Sequence, residues 1–584
     1  MEYSALVRLY ASLEGTTKRL EKTKLLSDTL KILEIEDLER VVHLVQGTVF
    51  PPWSDQKVGV AEKLVIKAMQ LSFGEPAETI EKKWRESGDL GDVAKEISAK
   101  KKQATLFSMS LSVKKVFENI EKLSTLEGAG TVDRKVQLMS ELLTSASPSE
   151  SRYLVRTFLG QLRAGLGEGT VRDAIVWAFL LPLIPYDSEK NDLALTEDAR
   201  KEYDSIVDKV QQAFDVVTDL SEIAVLVKVS GIEGLGRVSL QPGRPVKVML
   251  FQKVRDVEEA LTKLGAPAFF EYKYDGFRMQ IHKDGGNIKI FTRRLENVTS
   301  QFPDVVARVG DLIKEESFII DAEAIGIDLS TNKYLPFQRI SQRIRRKYGI
   351  EDMAKNFPVE VRVFDILFLN GNSTINKQYS ERRELVEKTV PDKPGLIAPA
   401  TMITSSDKDE ARRFYETALS LGMEGVMGKK SDAPYQPGSR VGFGVKIKPV
   451  MDTLDLVVVK AEWGEGKRAG WMTSFTLACQ DEDGNLLEIG NVGTGFKEKK
   501  EEGGTTFEEM TEMLKPLIIE EKGREARVNP KIVLEIKFEE IQKSPTYSSG
   551  YALRFPRLVQ VRADKPAEEA STLTQIEDQY DMQM

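Results

Sequence analysis

Apolar residues in the first part of the chain recur at helical spacing: Leu6, Leu9, Tyr10 and Leu13, then Leu25, Leu26, Leu30 and Leu33. Strand-like alternation is scarce there. Gly128, Gly130 and the Ser147-Pro148-Ser149 stretch interrupt the pattern, so residues 1 to about 225 are expected to be a set of helices. From Val229 to Gly243 glycine and proline accumulate (Gly231, Gly234, Gly236, Pro242), the signature of a domain boundary. Beyond about residue 245 the texture is mixed α/β. Short β-rich runs at Ala268–Tyr272, Met279–Ile281, Ile288–Thr292, Phe318–Ile325 and Val359–Leu369 alternate with helical patterns such as Asp407–Leu421. After Lys448 strands dominate, at Leu454–Ala461, Ser474–Ala478 and Ile532–Phe538, and a helical tail begins near Ala567. The expected domains are 1–228, 229–449 and 450–584.

Composition narrows the chemistry. At 584 residues the chain exceeds what a single core serves. The most apolar stretch, Ala174–Pro185, is too short for a membrane span and is broken by Pro182. The amphipathic pattern starts at once, so no secretory leader and a cytoplasmic location are expected. Cys479 is the sole cysteine, which excludes internal disulfides and cysteine-based zinc sites. With His43 and His282 the only histidines, His-dependent triads are effectively excluded as well. The formal charge of −8 argues against bulk attraction to nucleic acid but leaves room for local basic patches. Lys100-Lys101-Lys102 is one. Arg339, Arg343 and Arg346, spaced to share a helix face, form another; either is equally read as a solvated charged face.

The stretch Glu271-Tyr272-Lys273-Tyr274-Asp275-Gly276-Phe277-Arg278 carries the most information. A lysine amine can attack the α-phosphorus of a nucleotide and hold it as a phosphoramidate, provided that it is neutral. A free lysine ionises at about 10.4, so the site must favour the neutral form through positive charge, metal or desolvation. The aspartate can orient groups and the glycine lets backbone approach a phosphate. Alone, the motif reads as well as a surface strand ending in an Asp-Gly turn. Five clusters follow it in order. Arg293-Arg294 ends a strand and suits phosphate oxygens. Asp321-Ala322-Glu323 places two carboxylates on one strand face, needing a metal, a ribose or a basic partner. Phe364 in Val361–Leu367 could stack on a base or join a core. Glu424-Gly425-Val426-Met427-Gly428-Lys429 follows. Last, Lys446 and Lys448 sit two apart on a strand, where two ammonium groups suit an anion between them.

The order Lys-x-Asp-Gly, Arg, Glu, Phe-Asp, Glu-Gly, Lys-x-Lys resembles the ATP-dependent DNA ligases of the covalent nucleotidyltransferase superfamily, and the archaeal replicative type above all. Arg554-Phe555-Pro556-Arg557 and Arg562-Ala563-Asp564-Lys565 match the last family element. Tyr153–Arg156 and Gly160–Gly167 look like the helical DNA-binding domain of those enzymes. The resemblance implies an all-α DNA-binding domain, an α/β adenylation domain and a C-terminal β-rich OB-fold. It implies Lys273 as nucleophile and adenine read by Glu271 and stacked on Phe364. Arg278 and Arg293 would contact AMP phosphate, ribose or the nick. Glu323 would hold the ribose or a metal, and Glu424 a metal. Arg440, Lys446 and Lys448 would bind the triphosphate, although the aromatic that often stands two residues before Lys446 is here Gly444, with Phe443 preceding it. Arg554, Arg557, Arg562 and Lys565 would orient pyrophosphate. ATP and Mg²⁺, with Mn²⁺ as a substitute, are the implied cofactors.

Arg156 and Arg163, seven apart, are expected on one helix face toward nicked duplex DNA, with Gly165 and Gly167 admitting a phosphate ahead of a helix near Thr170. Gln103, Leu106 and Phe107 resemble an abbreviated sliding-clamp-binding motif. A monomer active in replication, repair and recombination is implied. An RNA ligase or capping-type guanylyltransferase would share Lys273 and its clusters, but the long helical region argues against both. A clamp-bound DNA-binding protein without catalysis is the non-enzymatic alternative.

Overall fold

The computed structural model describes residues 1–100, 110–126, 128, 130–328, 330–331, 333–335, 340, 343–344, 349–438, 440–449, 453–464, 468, 470–498 and 504–581. The chain folds into two compact units: Met1–Thr417 with Val426–Lys446, and Ala418–Gly425 with Ile447–Met584.

The first unit opens with the helical region, whose side chains from Tyr3 to Leu235 share one core. Ser147-Pro148-Ser149 does interrupt the helices, because it starts one. Ser147 caps the backbone of Glu150, Glu150 caps in return, and Pro148 takes the first position of helix Pro148–Phe158. The apolar run from Ala174 is interior: helix Glu168–Ile175 passes into a π-turn, Val176–Leu180, and Trp177 is wholly buried. Among the described residues no helix is long and apolar enough to cross a membrane. Residues 229–238 remain with this region. Helix Leu220–Leu235 bends at Gly231, where φ is 58° and ψ −156°, and then resumes; Ile232, Leu235 and Val238 pack on the helical core.

Nine strands of the same unit frame the site: β1 (Leu250–Val254), β2 (Ala268–Lys273), β3 (Phe277–Asp284), β4 (Asn287–Thr292), β5 (Ser317–Asp328), β6 (Val359–Leu369), β7 (Met402–Ser405), β8 (Gly425–Lys430) and β9 (Arg440–Ile447). One sheet runs β6–β5–β3–β4 with antiparallel neighbours, and the other β7–β2–β8–β9–β1. Alternation gives the first sheet two unlike faces. Met279, Ile281, Ile320, Ala322 and Val363 join Val305 and Val309 of helix Pro303–Leu312 and Val386 of helix Tyr379–Thr389 in one core. The intervening positions Arg278, Gln280, His282, Asp321 and Glu323 carry polar groups to the opposite face.

The second unit is rich in strands. Leu454–Trp463 pairs with Met472–Gln480, Glu525–Val528 and Val533–Lys537, its register slipping after Val458. Phe475, Leu477, Cys479, Met510 and Ile576 lie in its core, the last from tail helix Leu573–Asp581. Burial pushes the Cys479 thiol up to about 11.

Candidate nucleotide-transfer site

Lys273 is the last residue of β2 and is half-buried. Its sequence neighbours fix the backbone on both sides: the Tyr272 ring stacks on Phe414 at 4.6 Å, and the Tyr274 hydroxyl accepts from the Thr401 amide at 3.0 Å. Gly276 closes the turn into β3. A Cβ there would stand 2.6 Å from the Ala324 carbonyl oxygen and 2.7 Å from Cγ of Glu323. The glycine thus admits the stem of a protein carboxylate, a role the sequence reading gave to phosphate.

Two residues before Lys273, Glu271 is 2% exposed and ringed by donors. The Tyr379 hydroxyl donates to Oε1, Lys429 Nζ lies 2.6 Å from Oε2, and Arg383 Nη1 lies 3.7 Å from Oε1. Lys429 also donates to the Tyr379 hydroxyl at 3.2 Å, and its ammonium stands 4.9 Å from the centre of the Phe364 ring. Burial and the Glu271 charge hold the Tyr379 phenol well above its ordinary range. The sequence reading assigned no role to Tyr379, Arg383 or Lys429. Lys429 lay inside a quoted motif, whereas nothing local marks Tyr379, 108 residues from its partner.

Phe364 owes its placement to a bulge. Along β5 and β6, Asp321 pairs with Asp365 and Ala322 with Val363, leaving Phe364 as the extra residue. Such an insertion re-aims a side chain locally. The half-buried ring then meets Arg278 at 5.2 Å as well as Lys429. Next to it, Asp365 receives a two-pronged Arg382 at 2.8 and 3.1 Å.

The carboxylate pair Asp321 and Glu323 separates into two environments. Asp321, fully buried, takes Arg278 at 2.8 Å, the Tyr435 hydroxyl at 2.8 Å and Gln280 at 3.3 Å. Burial works against the Arg278 cation, but Asp321 and Tyr435 outweigh it and raise its pKa. Half-buried Glu323 stands opposite Arg278 on β3 and Arg362 on β6. His282 ends the polar row. Its Nδ1 accepts from the Gly243 amide at 3.0 Å and its Nε2 pairs with Gln280 at 2.9 Å, while burial and Lys289 lower its pKa to about 3.

The other expected residues scatter more widely. Arg293 is exposed in the turn after β4, where Leu295 adopts φ of 67°. Lys446 is half-buried on β9; the Arg440 side chain lies outside the described residues. Lys448 corrects the picture of two lysines on one strand, because β9 ends at Ile447. In the second unit Lys448 meets Glu424 at 2.6 Å and Glu539 at 3.0 Å; burial opposes its charge, but the two carboxylates prevail and raise its pKa. Arg554 pairs with Glu540 at 2.8 Å, and Arg557 is exposed. Arg562 and Lys565 share Asp455 at 3.0 and 2.7 Å. A cavity of about 650 Å³, lined by Arg362, Arg383, Glu387, Thr401 and Met402 among others, does not include Lys273, Glu323 or Phe364.

Arg156 requires the larger correction. It is 3% exposed, with Nε and Nη2 on Asp89 at 3.0 and 2.6 Å and Nη1 on Glu14 at 3.0 Å, so it is an interior cation with no access to DNA. Nor do Arg156 and Arg163 share a helix. The helix ends at Phe158, Gly160 takes φ of 65°, and Arg163 itself lies at φ of 59°. Arg163 is half exposed and reaches Asp89 at 3.3 Å. Gly165 makes room for Lys22, whose ammonium donates to the Ala164 and Gly165 carbonyls at 2.7 and 3.1 Å. The helix expected near Thr170 begins at Glu168. Arg343 is also interior, paired with Asp304, while Arg339 and Arg346 lie outside the described residues, as do Gln103, Leu106 and Phe107.

Three family profiles match consecutive stretches: DNA ligase N terminus over residues 2–176, ATP dependent DNA ligase domain over 248–448, and ATP dependent DNA ligase C terminal region over 468–565. The chain belongs to the ATP-dependent DNA ligase family, with a helical N-terminal region, a central adenylation domain and a strand-rich C-terminal domain. Within that family its full-length likeness is to archaeal enzymes. It is 46% identical to the DNA ligase of Nanoarchaeum equitans, covering 100% of this chain and 99% of the relative. To the DNA ligase of Thermococcus fumicolans it is 40% identical, with 100% and 99% covered. The solved structure named "Pmar-Lig_Pre." shares the fold at a TM-score of 0.56 and 16% identity, over 96% of this chain and 99% of that one.

Proposed function

We propose that this ATP-dependent DNA ligase seals nicks through AMP carried on Lys273. The supporting observation is the convergence within one unit of a half-buried lysine at a strand end, Glu271 two residues before it, Glu323 against Gly276 in the following turn, and Phe364 on a bulge flanked by Arg278 and Lys429. Lys273 Nζ attacks the α-phosphorus of ATP, forming an N–P bond as pyrophosphate leaves. AMP then passes to the 5′-phosphate of the nick, releasing the amine. The adjoining 3′-hydroxyl attacks that phosphate, expels AMP and completes the phosphodiester. Charge gathers on phosphate oxygens in each step, so cations and positioning supply most of the catalysis.

In this reading Glu271 takes the base edge, Phe364 stacks on it, and Arg278 and Arg293 face ribose and phosphate. Arg440, Lys446 and Lys448 serve the triphosphate, and Arg554, Arg557, Arg562 and Lys565 the pyrophosphate. For Lys448 and Arg562 that role requires exchanging a protein carboxylate for an anion of the substrate. The hard oxygen donors of Glu323 and Glu424 suit Mg²⁺, which keeps water and phosphate oxygens among its ligands and would stabilise charge on the transferring phosphoryl group. Arg163, the exposed member of its cluster, is retained for DNA. Sliding-clamp binding through Gln103, Leu106 and Phe107, a monomeric free state and a cytoplasmic location rest on the resemblance. The helical domain is drawn to about residue 240 and the central one to about 449, since Val238 still packs on the helices.

Incubation with α-labelled ATP followed by peptide mapping tests the central claim. Label on Lys273, absent from Lys273→Ala, is expected; label on another residue, or its persistence in that variant, overturns the assignment.

A further inference from the structure

Tyr379 is the first residue of helix Tyr379–Thr389, whose start is fixed by mutual capping of Gln378 and Glu381. Its ring is 2% exposed and packs edge-on against Phe269 at 5.3 Å. The hydrogen-bond directions around it are forced. A lysine ammonium can only donate, so the Tyr379 hydroxyl accepts from Lys429 and must spend its single proton on Glu271. With Lys429 on the other carboxylate oxygen, Glu271 is held ionised and in one orientation, and its remaining lone pairs can only accept. An acceptor-only edge suits a purine bearing an amino group at position 6 and repels one bearing a carbonyl there.

We propose that Tyr379 is a positioning residue for base selection: it fixes Glu271 as an acceptor and so favours ATP over nucleotides with a 6-carbonyl. The proposal deepens the reading of Glu271 as the base-reading group and depends on it. A site built around a hydrogen bond discriminates strongly because the wrong partner leaves buried polar groups unmatched. Losing the hydroxyl frees the carboxylate to rotate without emptying the space that the ring fills.

The test uses the full chain and measures self-adenylylation with labelled ATP, GTP and ITP. Tyr379→Phe is expected to cut the preference for ATP over ITP by about tenfold. The loss should fall chiefly on the KM for ATP, with the rate at saturating ATP within about threefold of the parent. Phe269→Leu, which loosens packing on the ring but leaves the hydroxyl, is expected to keep the preference. Glu271→Gln separates the two claims. If Glu271→Gln leaves the preference intact, the base-reading assignment of Glu271 fails and this proposal with it. If Glu271→Gln erodes it while Tyr379→Phe does not, Tyr379 alone is wrongly assigned. An equal loss in Phe269→Leu and Tyr379→Phe makes the effect one of packing and overturns the proposal.

Discussion

Asp89 in the helical region and Glu271 in the central domain are both buried carboxylates met by two cationic side chains, yet they differ in what pairing leaves over. Asp89 is saturated. Oδ1 caps the amides of Gly91 and Asp92, and Oδ2 takes two bonds from Arg156 and one from Arg163. Glu271 receives one hydrogen bond from Tyr379 on Oε1 and the Lys429 ammonium on Oε2, with Arg383 farther off. A carboxylate offers about four acceptor positions, so Glu271 retains capacity that Asp89 has used. Residual hydrogen-bonding capacity, rather than charge or burial, is what distinguishes a candidate ligand-reading group from a structural one.

The comparison can be broken most forcefully at Asp89. Asp89→Ala strands the Arg156 guanidinium in the interior and removes a helix cap, for an expected loss of about 4 kcal/mol in urea unfolding; a loss below about 1 kcal/mol would show that Asp89 is not the hub of its cluster. On the other side, Gly276→Ala drives a methyl into the Ala324 carbonyl and the Glu323 stem. It is expected to cost about 2 kcal/mol and to slow self-adenylylation at least about tenfold, measured in single turnovers. Unchanged rates would mean that the contact with Glu323 does not position Lys273.

His282 extends the contrast to a neutral group. Its pKa of about 3 lies below the ordinary value, so the unfolded chain binds the proton more readily. The associated stability is fully present above about pH 6.5 and drains away as pH falls toward about 3, at about 1.4 kcal/mol per unit. Urea titrations at pH 7 and pH 5 should differ accordingly, and His282→Gln should flatten the difference. The smallest effect is expected at Arg163→Ala. Half exposed, it should cost under about 1 kcal/mol, but it should weaken nick binding and lower the salt slope of that binding by about one. An unchanged slope removes Arg163 from the DNA surface.

Much of this was legible in the sequence, for definable reasons. Strand periodicity and β-branched runs placed β2 to β6 within three residues of their bounds, and the motif order gathered Glu271, Lys273, Arg278, Glu323 and Phe364. What escaped depends on contacts between distant segments. Tyr379 has no local signature, and the bulge that turns Phe364 exists only in the pairing of β5 with β6. Counting seven residues from Arg156 to Arg163 assumed an unbroken helix, although Gly160 stands between them as a visible stop. Glycine misled in the other direction at Gly231, where the chain bends and the helix then resumes. Hydrophobic spacing records that a helix exists; whether an arginine on it faces outward depends on an acid, here Asp89, more than sixty residues away in sequence.

The one native thiol, Cys479, is sealed inside the strand-rich unit and resists ionisation. The surface is therefore blank to maleimide and iodoacetamide reagents. Cysteines introduced one per unit could carry a fluorophore pair without background labelling, so that distance changes through a ligation cycle could be followed by energy transfer in the otherwise native enzyme.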